Sequence, residues 1–123
     1  LSEFASEREN VVVHASLDKE AYLSCLANFD LVIGNSSSAI IEAPSFGLPT
    51  VNIGGRQTGR EMAPSVINVD CKYKSIKAGV DDALLRPRYL KQNIYDLPYG
   101  KLGATASILA ILEQFFSEQA RSV

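Results

Sequence analysis

Short apolar runs bounded by glycine, proline and small polar residues alternate along this chain with longer stretches whose apolar positions recur every three or four residues. That alternation predicts a parallel α/β sheet with helices laid against it. Val11–Val13 reads as a first buried strand, Leu31–Ile33 as a second stopped by Gly34, Thr50–Ile53 as a third and Val66–Val69 as a fourth. Between the first two, Asp18 is placed to cap a helix whose apolar face carries Ala21, Tyr22, Cys25 and Leu26. A short helix follows the serines at 36–38 and ends at Gly47, with Pro49 just beyond as a stop signal. Pro44 lies inside it and is expected to bend or loosen it, because proline has no N–H for the carbonyl one turn back. Tyr73–Leu85 predicts a helix, Arg86–Tyr95 a shorter one, and Asp96–Gly103 a loop marked by Pro98, Gly100 and Gly103. The last helix carries Ile108, Ile111, Leu112 and Phe115 on one face, widened by Leu109 and Phe116. There is no internal repeat.

A chain of 123 residues supports one domain with one core, and at that length roughly two thirds of the unfolded surface can be buried. With 46% hydrophobic and 21% charged residues the composition is that of a soluble globular protein. The formal net charge of -2 provides no basic field to gather nucleic acid or an anionic membrane, so neither is expected as a partner. Any affinity for phosphate has to be local. Cys25 and Cys71 match no metal or redox spacing, so no metal or cofactor is expected, and the thiols fit a reducing compartment. No apolar stretch approaches 18 residues and no leader pattern opens the chain, which points to a cytoplasmic protein. The first residue is Leu1 rather than methionine, as in a fragment or a trimmed chain.

The turn Gly34-Asn35-Ser36-Ser37-Ser38 carries more hydroxyls than a helix start needs. A strand running through it into a helix sets these residues at the carboxyl edge of the sheet, where open α/β sheets bind ligands. Unpaired N–H groups and the dipole at a helix start favour an anion there, and serine hydroxyls rotate to suit phosphate oxygens. The simpler reading is a cap with spare hydroxyls; on either reading one serine is expected to cap the helix, which leaves its neighbours over. Glu42 falls four residues after Ser38 and fits a capping box poorly; it either accepts hydrogen bonds from sugar hydroxyls or only complements the dipole. The third strand runs into Gly54-Gly55-Arg56-Gln57-Thr58-Gly59-Arg60, where glycines allow close approach and Arg56 offers a planar fork for a diphosphate. Both arginines also suit a solvated loop. His14, at the end of the first strand, is placed on the same edge but is more often structural than catalytic in such a setting.

The run GNSSSAIIEAPSFGLPTVNIGGRQTGRE, Gly34 to Glu61, resembles the nucleotide-binding segment of UDP-N-acetylglucosamine 2-epimerases, above all the hydrolysing branch that makes N-acetylmannosamine for sialic acids. The non-hydrolysing branch typically has Asp-Ser-Gly-Gly where this chain has Asn35-Ser36-Ser37-Ser38, and the wider similarity runs from about Asn10 to Phe116. The resemblance implies a Rossmann-like carboxyl-terminal domain of a glycosyltransferase-B-like fold, truncated, with residues 1–123 forming a single, incomplete UDP-binding domain. Carried over by position, Ser36 and Ser37 contact the diphosphate, Glu42 the ribose hydroxyls, Arg56 lies beside the phosphates and the backbone at Ala15 faces uracil. His14, Ser38 and Arg60 are further candidates. The loop Leu97–Thr105 departs from the family's Pro-Tyr-Gly-Asp-Gly pattern at Lys101 and Leu102 and is discounted as a phosphate contact.

The reaction that the resemblance implies eliminates UDP across carbons one and two and adds water to the resulting glycal, with an acid and a base moving the carbon-bound proton. The family holds those carboxylates in its amino-terminal domain and a key histidine at the start of the second; His14 lies in a different segment. The family is enzymatic, yet this chain alone is expected to bind UDP or UDP-N-acetylglucosamine without turning it over, and to need a missing amino-terminal domain or a second copy of itself. The alternative is a free-standing nucleotide-binding or oligomer-forming module without catalysis. If Val11–Val13 and Leu31–Ile33 are the third and fourth strands of a Rossmann half, two strands between them are absent. The gap is expected to close by direct pairing of these strands or by another copy of the chain.

Overall fold

The computed structural model describes residues 2–86, 97–100 and 103–120. Its elements in chain order are α1 (Ser2–Ser6), α2 (Lys19–Asn28), β1 (Val32–Gly34), α3 (Ser38–Ile41), a 3-10 turn (Ala43–Phe46), β2 (Thr50–Ile53), β3 (Val66–Val69), α4 (Tyr73–Leu85) and α5 (Ala104–Ala120). The strands form one parallel sheet in the order β1-β2-β3, with Gly34 opposite Asn52 and Asn52 opposite Asn68. The architecture is the expected α/β, Rossmann-like one.

Local chemistry accounts for several element ends. Asp18 caps α2, its Oδ1 accepting the Ala21 N–H at 2.8 Å. Pro44 does loosen the helix after the serines: α3 stops at Ile41 and the backbone continues as a 3-10 turn. That turn ends at Gly47, whose φ of 62° is a left-handed conformation glycine adopts without penalty. α2 packs on this turn and on β1 through Leu26, Ala43 and Leu48, with Tyr22, Leu23, Val32 and Phe46 around them.

Two expectations fail. Val11–Val13 forms no strand, and Val12 is 75% exposed. Direct pairing with the 31–33 segment does not occur, so β1 is an edge of the sheet among the described residues. The backbone bond that Val11 makes runs from its N–H to the Arg8 carbonyl, a turn contact and not a ladder. Apolar β-branched residues extend a sheet only where a neighbouring strand takes their N–H and C=O groups and helices cover both faces. His14 accordingly ends no strand. The helix expected over Arg86–Tyr95 falls, after Arg86, outside the described residues, as does Lys101. α5 forms as expected, but Ile108, Leu109, Ile111, Leu112, Phe115 and Phe116 along it are all exposed. Among the described residues no helix is long and apolar enough to cross a membrane.

The sheet's two faces are closed unequally. On one, α4 lies against β2 and β3 at Gly79, where a Cβ would sit 2.7 Å from Val69 Cγ1 and 3.2 Å from Val51 Cγ1. On the other, buried Thr50 donates its hydroxyl to the Ala39 carbonyl at 3.0 Å and ties α3 down. Gly79→Ala should therefore lower stability by about 1–3 kcal/mol in urea unfolding despite alanine's better helix propensity. Adding Val69→Ala, which clears the obstruction, should recover part of that loss relative to Val69→Ala alone.

Candidate functional site

Parallel pairing puts the carboxyl ends of β1 and β2 side by side, so the turn after Gly34 and the loop after Ile53 leave the same edge of the sheet. The loop starts at Gly54, whose φ is 73° and whose N–H is held by the Val69 carbonyl at 2.8 Å. It then folds through two successive turns, Thr58 N–H to Gly55 O at 3.0 Å and Arg60 N–H to Gln57 O at 3.2 Å. Gln57, between the exposed Arg56 and Thr58, turns inward and is 3% exposed. Its Nε2 donates to the Asn35 carbonyl at 2.8 Å and so pins the arginine-bearing loop to the serine-bearing turn. Its Oε1 is buried and has no partner among the described residues. A buried unmatched acceptor costs about 1–3 kcal/mol, which makes this amide unusual for a purely structural pin.

Arg56 is exposed, and neither it nor Arg60 has an ion-pair partner among the described residues. Ser36 is exposed and Ser37 partly so, and neither hydroxyl is hydrogen-bonded among the described residues. Ser37 occupies the cap position of α3 in an α-helical conformation (φ -63°, ψ -31°) and makes no side-chain cap. The expectation that one serine hydroxyl caps the helix is thus corrected. A capping residue ordinarily has an extended backbone, and the helical one at Ser37 leaves its hydroxyl uncommitted to the N–H groups of the first turn.

Ser38 has a different engagement. Its Oγ donates to Glu42 Oε2 at 2.6 Å and is in turn contacted by the hydroxyl of Tyr22 from α2. Glu42 is therefore not a free carboxylate complementing a dipole; it closes α3 and is held by a side chain one turn earlier. It also lines a cavity of about 410 Å³ with Lys19 and Leu23 of α2, Pro44 and Phe46 of the 3-10 turn, and Tyr99. Residues 97–100 of the loop discounted as a phosphate contact thus build a wall of the cavity that holds Glu42, with Tyr99 anchored through its hydroxyl to the Glu61 carbonyl at 3.1 Å.

Arg60 lines a separate polar crevice of about 420 Å³ with Asn52, Thr58, Met62 and Asn68, beside the cross-strand bond from Asn52 Nδ2 to Asn68 Oδ1 at 2.7 Å. His14 and Ala15 are exposed in an extended segment that precedes α2. The structure thus brings the loops of Ser36, Ser37 and Arg56 together, sets Glu42 in a cavity lined by none of these three residues, and does not place His14 by a strand. Sequence reasoning missed Tyr22 and Gln57. The first sits on an apolar helix face and the second inside a glycine-rich loop, and nothing local says that either side chain reaches another element.

A profile of the family described as UDP-N-acetylglucosamine 2-epimerase matches residues 1–113. The chain is 43% identical over 89 residues to the UDP-N,N'-diacetylbacillosamine 2-epimerase (hydrolyzing) of Legionella pneumophila, an overlap covering 72% of this chain and 24% of that protein. It is 33% identical over 108 residues to the polysialic acid biosynthesis protein P7 of Escherichia coli, covering 85% of this chain and 27% of the other. It is 32% identical over 77 residues to the UDP-N-acetylglucosamine 2-epimerase of Neisseria meningitidis, covering 63% and 20%. The chain thus spans about a quarter of the length of these relatives. Family profile, hydrolysing-type relatives and a parallel α/β sheet agree: the chain belongs to the UDP-N-acetylglucosamine 2-epimerase family.

Proposed function

We propose that this chain is the UDP-sugar-binding portion of a hydrolysing UDP-N-acetylglucosamine 2-epimerase, catalytically incomplete by itself and acting in the cytoplasm. The observation that carries the reading is the Gln57–Asn35 hydrogen bond, which holds a serine-rich turn and an unpaired arginine at one carboxyl edge of a parallel sheet. Ser36 and Ser37 would donate to the diphosphate and Arg56 would meet it with a planar fork. Glu42 would accept from the ribose hydroxyls and the backbone at Ala15 would face uracil, with His14, Ser38 and Arg60 nearby. Charge grows on UDP as its bond to the sugar breaks, and donors fixed before the reaction stabilise that charge more than the bound substrate. An amino-terminal domain would supply the acid and base. Residues 1–123 would then form one incomplete domain, and the outer edge of β1 and the exposed apolar side chains of α5 would be covered in the whole protein.

A second reading concerns the sugar. The Legionella pneumophila and Campylobacter jejuni relatives, each 43% identical over the matched residues, are both named for N,N'-diacetylbacillosamine. That favours a diacetamido sugar over N-acetylglucosamine on the same UDP.

Calorimetric titration of the chain with UDP tests the reading. Micromolar to millimolar binding is expected, and UDP at 100 times its dissociation constant should stabilise the fold by about 2.7 kcal/mol in a melting experiment. Arg56→Ala should weaken binding about 10-fold or more with stability unchanged, as for loss of a charge-assisted hydrogen bond. Gln57→Ala should both weaken UDP binding and destabilise the chain by about 1–3 kcal/mol, because it releases the pin between the loops. Absence of binding at millimolar UDP, or equal affinity in Arg56→Ala, would overturn the assignment.

A further inference from the structure

Tyr22 lies in α2, Ser38 opens α3 and Glu42 follows its last residue, yet the three form one continuous hydrogen-bonded chain. The direction of that chain follows from counting protons. A carboxylate only accepts, so the single proton of the Ser38 hydroxyl is given to Glu42 Oε2, at a 2.6 Å separation typical of a charge-assisted O–H···O bond. With that proton committed, the contact between the two hydroxyls has to be donated by Tyr22 to Ser38 Oγ. All three side chains are half-buried, which keeps water from competing for the same atoms. One oxygen of Glu42 is engaged, while Oε1 has no partner among the described residues and the side chain borders the 410 Å³ cavity.

We propose that Tyr22 and Ser38 are positioning residues that lock Glu42 so that its free oxygen meets a vicinal diol, making this site selective for ribose over deoxyribose nucleotides. This rests on the nucleotide reading given above. A free glutamate side chain has three rotatable bonds and loses their freedom on binding; one held beforehand has already been ordered by folding. A carboxylate aimed at hydroxyls also rejects a ligand that lacks them, because a desolvated charge is then left unmatched. The position of Tyr22 on α2 means that the selectivity would be set by a residue outside the serine-rich turn and the glycine-rich loop altogether.

The experiment is a titration of UDP and 2',3'-dideoxy-UDP against the unaltered chain and Tyr22→Phe, Ser38→Ala and Ser38→Thr. The unaltered chain should prefer UDP by about 10-fold or more. Ser38→Ala should lose most of that preference and Tyr22→Phe about 3-fold of it, with affinity for the dideoxy ligand unchanged, while Ser38→Thr, which keeps the hydroxyl, should retain it. Equal losses for both ligands would show packing rather than positioning, and unchanged UDP affinity in Tyr22→Phe and Ser38→Ala would show no role; either result overturns the proposal. If the unaltered chain binds no UDP, the nucleotide reading fails separately. The relay is then judged by the carboxyl carbon NMR shift of Glu42, which must move in both Tyr22→Phe and Ser38→Ala for it to stand; an unmoved signal overturns it.

Discussion

Thr50, Val51 and Asn52 are almost wholly buried, and a parallel strand hidden on both faces can be held only where a helix closes each face and neighbouring strands take its backbone groups. In this chain α4 meets one face through the bare Cα of Gly79, while α3 is tied to the other by the Thr50 hydroxyl. β1 and β3 complete the backbone pairing on either side. Because all three strands run the same way, their carboxyl ends share one edge, and the loops that leave that edge are adjacent whatever their composition. The crevice is a consequence of strand direction before it is a consequence of side-chain chemistry.

What fills the crevice is local polarity rather than charge. A chain of net charge -2 has no long-range attraction for a diphosphate, so on the proposed reading the anion would be met by serine hydroxyls and by a guanidinium that has no ion-pair partner among the described residues. Gln57 ties the two loops that carry those groups to each other, since its buried amide holds the Asn35 carbonyl. On the proposed reading the same segment would serve binding alone, the proton-transfer groups would come from an amino-terminal domain, and a fixed phosphate site would stabilise the departing nucleotide.

The missing strand and the missing serine cap share a cause. Val11–Val13 has the composition of a buried strand, but burial of a strand is conferred by its neighbours, and without them Val12 and Val13 lie exposed in connecting chain. Ser37 occupies a cap position by sequence, yet its backbone is helical there and its hydroxyl makes no cap. In both cases a residue type was suited to a role that its surroundings did not supply.

Hydrophobic period, the Asp18 cap, the Pro44 interruption and the Gly47 stop are written in contacts between residues three or four apart, so β1, β2, β3, α2, α4 and α5 were legible from the chain alone. So were the serine-rich turn, Glu42 and Arg56 as candidates, because strand–turn–helix order by itself puts them at the carboxyl edge. Tertiary structure alone decided which hydroxyl serves which partner. Ser38 is committed to Glu42 by a tyrosine 16 residues away, and Gln57 reaches back 22 residues to Asn35. Hydrogen bonds of that span depend on how helices and loops come to lie on the sheet, and no periodicity along the chain records it.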